Sequence, residues 1–236
     1  MGSVLKRLPG RRAVIAAVPC LLLLTGCGVA DTEFHPGVAV VVGDRTITTD
    51  RVDDLTSGFC SAIEDQVTAQ GQALPMQLFE RGIVGQLAMQ SAAEQLAQEF
   101  DVQPGSDYYS AVAEIETQAE GLSETGRDDY IEIQATLPYI TDVLTQVGAL
   151  QLAKEGEEEP TVDFQQARGL DELEAWVDRE GVTFDPRYRT ELVEGQPQPV
   201  DTDVSFAFGD LAKAGVSDGD PDPSYVASLP RSATCG

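Results

Sequence analysis

The order of hydrophobic and polar residues changes from an alternating to a helical pattern early in the chain. Val38 to Val42 is a β-branched run, and Thr46 to Thr48 resumes the strand pattern after Gly43-Asp44. A glycine at the first of two turn positions suits a type II′ turn, so this segment predicts a small β-hairpin. Apolar residues then recur at steps of three and four, which predicts a first helix that ends near Gly71. Its apolar stripe consists of Val52, Leu55, Phe59, Ile63 and Val67.

Four more helices are predicted further along the chain. The second begins near Leu74-Pro75, the third after Pro104-Gly105 and the fourth near Asp128, and the fifth ends near Gly181. The near-heptad spacing of the third helix favours a packing seam over a cofactor-binding motif. Pro138 lies inside the fourth helix, where it predicts a kink. The stripes of the third and fourth helices are Tyr109, Val112, Ile115, Ala119 and Leu122, and Ile133, Leu137, Ile140, Leu144 and Val147.

The pattern as a whole predicts a mainly α fold with a small hairpin and one late short strand, Val182-Thr183-Phe184. We expect one helical domain over residues 38–188. Residues 189–236 contain only short apolar pieces between prolines and glycines, which predicts an extended, irregular tail that packs on the domain.

The N-terminus has the organisation of a lipoprotein signal over residues 1–26. Four basic residues precede an apolar run from Ala13 to Leu24, and Leu24-Thr25-Gly26-Cys27 resembles a lipobox. The run is too short to span a bilayer. We therefore predict lipidation of Cys27, a tether over residues 27–37 and a location at the extracytoplasmic face of the cell membrane. An ordinary secretory signal that contains a cysteine is the alternative.

The charge of the mature chain restricts its partners. After removal of residues 1–26, the chain has 11 basic and 40 acidic residues, a formal charge of −29. Such a field repels nucleic acids and anionic lipid headgroups, so we expect no nucleic-acid partner and no basic membrane patch. Membrane attachment is expected to depend on the lipid, since two or three acyl chains anchor a protein firmly.

Two cysteines remain once Cys20 leaves with the signal and Cys27 is lipidated. We predict that Cys60 and Cys235 form a disulfide, because the compartment lacks the cytosolic reducing pool. A loop this long corresponds to about 4–5 kcal/mol of stabilisation in the chain-entropy model. Two free thiols that lie too far apart to bridge are the alternative.

One stretch resembles a known family. The sequence Val38-Ala39-Val40-Val41-Val42-Gly43-Asp44-Arg45-Thr46-Ile47-Thr48, followed at once by an acidic amphipathic helix, resembles the start of SurA-type and trigger-factor-like chaperone domains. Relatives read A-V-V-N-G-x-x-I-T, so Val42 replaces their asparagine. The family's later Asn-Pro-Arg-Tyr-Gly sequence is kept in part, with Asp185 and Arg189 at its ends. The resemblance covers residues 38–188.

The resemblance implies a fold and a function. In that family the first strands pair with the late strand, and the helices form a cradle that holds unfolded polypeptide. The resemblance implies a holdase-like protein that lacks the parvulin domain, the domain that isomerises prolyl bonds in many relatives. This implication is drawn at the level of the family. We place Phe79, Leu96 and Tyr109 as candidate peptide-binding residues of the cradle. The alternative is an interaction protein with one specific envelope partner, and residual prolyl isomerase activity is a third, disfavoured possibility.

The sequence supports no catalytic or metal site. The single histidine, His35, lies in the tether, so a Ser-His-Asp triad or a site with several histidines cannot form. The acidic loop from Asp218 to Asp222 lacks EF-hand spacing and its closing glutamate. No glycine loop suited to phosphate is present, and we expect no cofactor.

Overall fold

The structure, a computed structural model, describes residues 36–200, 209–215 and 221–236. The signal, Cys27, His35 and part of the acidic loop lie outside these residues. Residues 35–236 make one compact unit. As predicted, this unit is mainly helical with small antiparallel strand pairs. No helix among the described residues is long and apolar enough to span a membrane.

Three short strands form one sheet. Strand β1 (Val38–Val42) pairs antiparallel with β2 (Arg45–Thr48) and, on its other edge, with β4 (Val182–Phe184). Gly43 has a φ of +55° in the turn, the conformation that the predicted turn requires at its first central position. The sheet order β2-β1-β4 joins the first strands to the late strand. This is the pairing that the family resemblance implies.

Five long helices make up most of the unit. Helix α1 follows β2 directly, and its N-cap is Thr48, whose side-chain oxygen accepts a hydrogen bond from the Arg51 amide at 3.2 Å. Helix α4 continues across Pro138 without interruption, and the kink expected there stays a prediction. The bounds are α1 Thr49–Ala69, α2 Met76–Phe100, α3 Ser106–Ala119, α4 Arg127–Glu155 and α5 Val162–Glu180.

Helix α4 lies at the centre of the unit and packs against α1, α2, α3 and α5. Its buried side chains recur at helical spacing and contact a core that also contains α2 residues and the inner face of β1. These α4 residues are Ile133, Thr136, Ile140, Val143, Leu144, Val147, Gly148 and Leu152. The predicted stripe is therefore right except at Leu137, which is 65% exposed. Leu137 lies at the edge of the stripe, where α4 has no neighbouring helix to cover it.

Two glycines set the distance between α4 and α5. A β-carbon added at Gly148 would lie 1.8 Å from the Gln165 carbonyl oxygen, and one added at Gly169 would lie 2.0 Å from the Leu144 carbonyl oxygen. Because both neighbours are backbone atoms of the facing helix, no side-chain rotation can relieve these contacts. The two helices therefore pack backbone against backbone at this crossing.

The predicted irregular C-terminal tail contains several short regular elements among its described residues. Strands β5 (Thr190–Val193) and β6 (Gln196–Pro199) form a hairpin, and Pro197 packs on Gly85 of α2. Two short helices follow, α6 (Asp210–Gly215) and α7 (Pro223–Ser228).

The last residues return to the start of α2. Strand β7 (Thr234–Cys235) pairs antiparallel with β3 (Leu74–Pro75). Cys235 is fully buried and forms a disulfide with Cys60 of α1, with 5.7 Å between the Cα atoms. This is the pairing that the cysteine count predicted, and it holds the C-terminal segment against α1.

The close contact between α4 and α5 leads to a stability prediction. We expect Gly148→Ala to lower the free energy of unfolding by about 2–3 kcal/mol, since the new methyl group must push two backbones apart. Urea denaturation followed by circular dichroism measures this change. Gly82→Ala is the matched control in α2, where an added β-carbon meets nothing within 4 Å. It should raise the stability by about 0.5–1 kcal/mol through helix propensity. Equal effects of the two substitutions would contradict the close packing.

Candidate functional site

The three residues predicted to bind peptide do not share one surface. Leu96 is only 1% exposed and belongs to the hydrophobic core, so its prediction as a cradle residue is wrong. The wide apolar arc of α2 includes positions that pack inward and cannot contact a client in the folded state. Tyr109 is 61% exposed and lies on α3. Phe79 is half-buried.

Phe79 belongs to an aromatic cluster that joins three helices. Its ring centroid lies 5.9 Å from that of Phe59 on α1, and Phe59 stacks on Tyr130 of α4 at 5.4 Å. Aromatic pairs at these separations contribute packing energy beyond their buried area. The contacts of Phe79 therefore serve the junction of α1, α2 and α4, which leaves Tyr109 as the predicted residue with an accessible ring.

An open groove lies between α3 and α4, where it is lined by Tyr108, whose ring meets that of Tyr109. Its volume is about 330 Å³. Its residues follow helical spacing on both walls, at steps of four along α3 and of three or four along α4, with one residue contributed by α2. The lining consists of Gln90, Tyr108, Val112, Glu116, Asp128, Ile131, Glu132 and Ala135. We call this the α3–α4 groove.

The groove combines an apolar lining with an acidic rim. Val112, Ile131 and Ala135 are half-buried apolar residues, whereas Glu116 and Asp128 are exposed carboxylates. The third acid of the rim, Glu132, forms an ion pair with Arg51 of α1. Within the described part of the chain, Glu116 and Asp128 form no ion pair. The rim thus has an excess of negative charge next to a hydrophobic surface.

Hydrogen bonds and ring contacts hold the groove in place. Gln90 donates from Nε2 to Glu94 at 3.2 Å, and its Oε1 lies 3.3 Å from the Thr136 hydroxyl. The ring of Tyr108 meets that of Tyr139 edge to face, with centroids 5.7 Å apart, and it meets Tyr109 in the same manner at 5.2 Å. These contacts connect the groove to α2 and to the middle of α4.

The two packed tyrosines remain neutral at physiological pH. Burial raises the pKa of Tyr108 above its ordinary value, and the nearby Tyr109 and Glu94 raise it further. Burial and the Glu94 carboxylate likewise raise the pKa of Tyr139. Both phenols therefore keep the proton that a hydrogen bond to an acceptor requires.

The α3–α4 groove was not predicted from the sequence. The expected seam of α3 contained Tyr109, but the adjacent Tyr108 is the residue that packs against α4, and Tyr109 faces solvent. A signal was present, since Tyr108, Val112 and Glu116 recur at steps of four. To use this signal, one would have needed to know that this face of α3 packs against α4.

The described residues contain no group of three or more histidine, cysteine, aspartate or glutamate side chains placed to hold a metal ion. Comparisons with models of known protein families, with curated proteins and with solved structures found no match.

Proposed function

We propose that this chain is a lipid-anchored, extracytoplasmic, non-catalytic holdase that binds unfolded or secreted polypeptides. The observation that carries the proposal is the α3–α4 groove, an open, partly apolar surface lined by Tyr108, whose ring meets the exposed ring of Tyr109. An open, partly apolar cleft of this volume is within the range of sites that bind ligands. The resemblance to SurA-type domains supports the same function at the level of the family.

The strong negative charge suits such a role. A mature chain with a charge of −29 keeps a complex with an aggregation-prone client soluble. The same charge disfavours adsorption to anionic lipid, so the anchor in this proposal is the lipid on Cys27. The acyl chains would hold the helical unit close to the membrane, where secreted polypeptides emerge.

A second candidate function is supported by the size of the groove. A volume of about 330 Å³ lies at the small end of ligand sites and suits a few side chains. A small, shaped site is also what an interaction protein with one specific envelope partner would use. The breadth of client binding separates these two functions.

The holdase function predicts suppression of aggregation. The test uses residues 27–236 with Cys27→Ser, which include the whole compact unit and the described core. Mixed with a chemically unfolded model protein, this chain should reduce light scattering at near-stoichiometric ratios, because the groove covers exposed apolar segments. Tyr109→Ala should weaken the suppression several-fold. The matched control is Phe164→Ala, which removes another exposed aromatic ring, 49% accessible, at the start of α5.

Two results would contradict the holdase. Unchanged scattering at a tenfold molar excess would leave the specific-partner function as the better account. Equal losses in the Tyr109 and Phe164 variants would mean that suppression does not depend on the α3–α4 groove. Circular dichroism and thermal melting of both variants check that each keeps its fold.

The lipid anchor predicts a phase-partitioning result. The full chain, expressed with its signal in a bacterium, should incorporate labelled palmitate and partition into detergent, because the acyl chains provide its membrane affinity. Cys27→Ser should remain in the aqueous phase without label. Cys20→Ser is the matched control and should behave as the wild type, since Cys20 leaves with the signal. Equal partitioning of the two variants would contradict lipidation at Cys27.

A further inference from the structure

The rim of the α3–α4 groove is electrostatically unbalanced. Three carboxylates surround it, from Glu116, Asp128 and Glu132, and among the described residues one guanidinium, that of Arg51, pairs with them. The side chains of Glu116 and Asp128 come from opposite walls, one on α3 and one on the first turn of α4. A cation in the groove would therefore meet acidic groups from both walls.

The interior of the groove indicates that the bound group must also have an apolar part. Val112 and Ile131 supply apolar contacts, and the Tyr108 ring adds an aromatic surface. A hydrated metal ion would gain nothing from the aliphatic groups of Val112 and Ile131. The aliphatic stem of an arginine or lysine can cover such a surface while its charged end reaches the carboxylates.

We propose that the α3–α4 groove binds a short polypeptide segment in which an arginine or lysine lies beside an apolar residue. This inference rests on the proposed function and names the class of client segment that the groove accepts. Arginine fits best, because its planar guanidinium can hydrogen-bond to carboxylates in two directions.

Charge also argues against a second copy of the chain as the occupant. The mature chain has nearly four acidic residues for each basic one, so a docking copy would bring like charge to an acidic rim. Like-charge juxtaposition opposes association and slows encounter, whereas a basic segment is attracted to the rim before contact.

The test measures the binding of labelled peptides by fluorescence anisotropy, with the Cys27→Ser chain of residues 27–236. The probe is a nine-residue peptide that contains two Arg-Leu pairs, and its partner peptide has Gln in place of Arg. We expect the Arg peptide to bind about tenfold more tightly at low salt, with most of the difference lost at high salt.

Variants of the rim locate the effect. Glu116→Gln with Asp128→Asn should weaken binding of the Arg peptide about five- to tenfold and leave the Gln peptide unchanged. The matched control is Glu157→Gln with Glu158→Gln, which removes the same charge from the exposed loop between α4 and α5 and should change affinity less than about twofold. If Asp128→Asn disturbs the start of α4, the single variant Glu116→Gln is used instead. Glu116 is exposed within α3, so its substitution should leave the fold intact.

Three results would overturn the inference: equal affinity for the two peptides, equal losses in the rim and loop variants, or displacement of the Arg peptide by spermine at concentrations where ionic strength is matched. Displacement by spermine would indicate a site for small cations.

Failure of the inference is distinguishable from failure of the proposed function. Suppressed aggregation without peptide discrimination overturns only the inference. If the rim variants lose their preference for the Arg peptide but the wild-type chain does not suppress aggregation, the holdase function is overturned. The groove then remains a site for a basic segment.

Discussion

The backbone contact between α4 and α5 at Gly148 and Gly169 is the constraint on which the rest of the fold depends. Helix α4 contacts each of the other long helices, so its position determines where they lie. Larger residues at the two glycines would separate α5 from α4 and shift Leu173 and Trp176, which α5 contributes to the core. The same displacement would carry β4 away from β1, since β4 begins two residues after α5 ends. The small sheet therefore depends on the close approach of two helices.

Much of this architecture follows from local patterns in the sequence. The hairpin, the Thr48 cap and the five helices depend on turn chemistry and on apolar spacing, which are properties of short segments. Three features do not follow from local patterns. They are the exposure of Leu137, the burial of Leu96, and the packing of Tyr108 rather than Tyr109 against α4. A period of three to four residues defines an arc of about 100° or more on a helix, and neighbouring helices decide which part of that arc is covered. The groove has the same origin, because its lining is brought together from three helices, α2, α3 and α4.

The groove relates the acidic composition to a specific place in the structure. Most of the 40 acidic residues contribute only to the overall field, but Glu116 and Asp128 lie at the border of an apolar surface. In the function that we propose, the overall negative charge would draw basic segments toward the protein, and the carboxylates beside Val112 and Ile131 would give those segments a site to occupy. The disulfide between Cys60 and Cys235 holds the C-terminal segment on α1.

Site-specific photo-crosslinking tests the central claim, that client segments bind in the α3–α4 groove, most directly. A benzoylphenylalanine replaces Tyr109 in one variant and Phe164 in another, and each is irradiated with a labelled basic, apolar peptide. The account predicts a cross-link at position 109 that excess unlabelled peptide abolishes, and only background at position 164. Equal labelling at both positions, or labelling confined to position 164, would contradict the claim that the groove is the client-binding site.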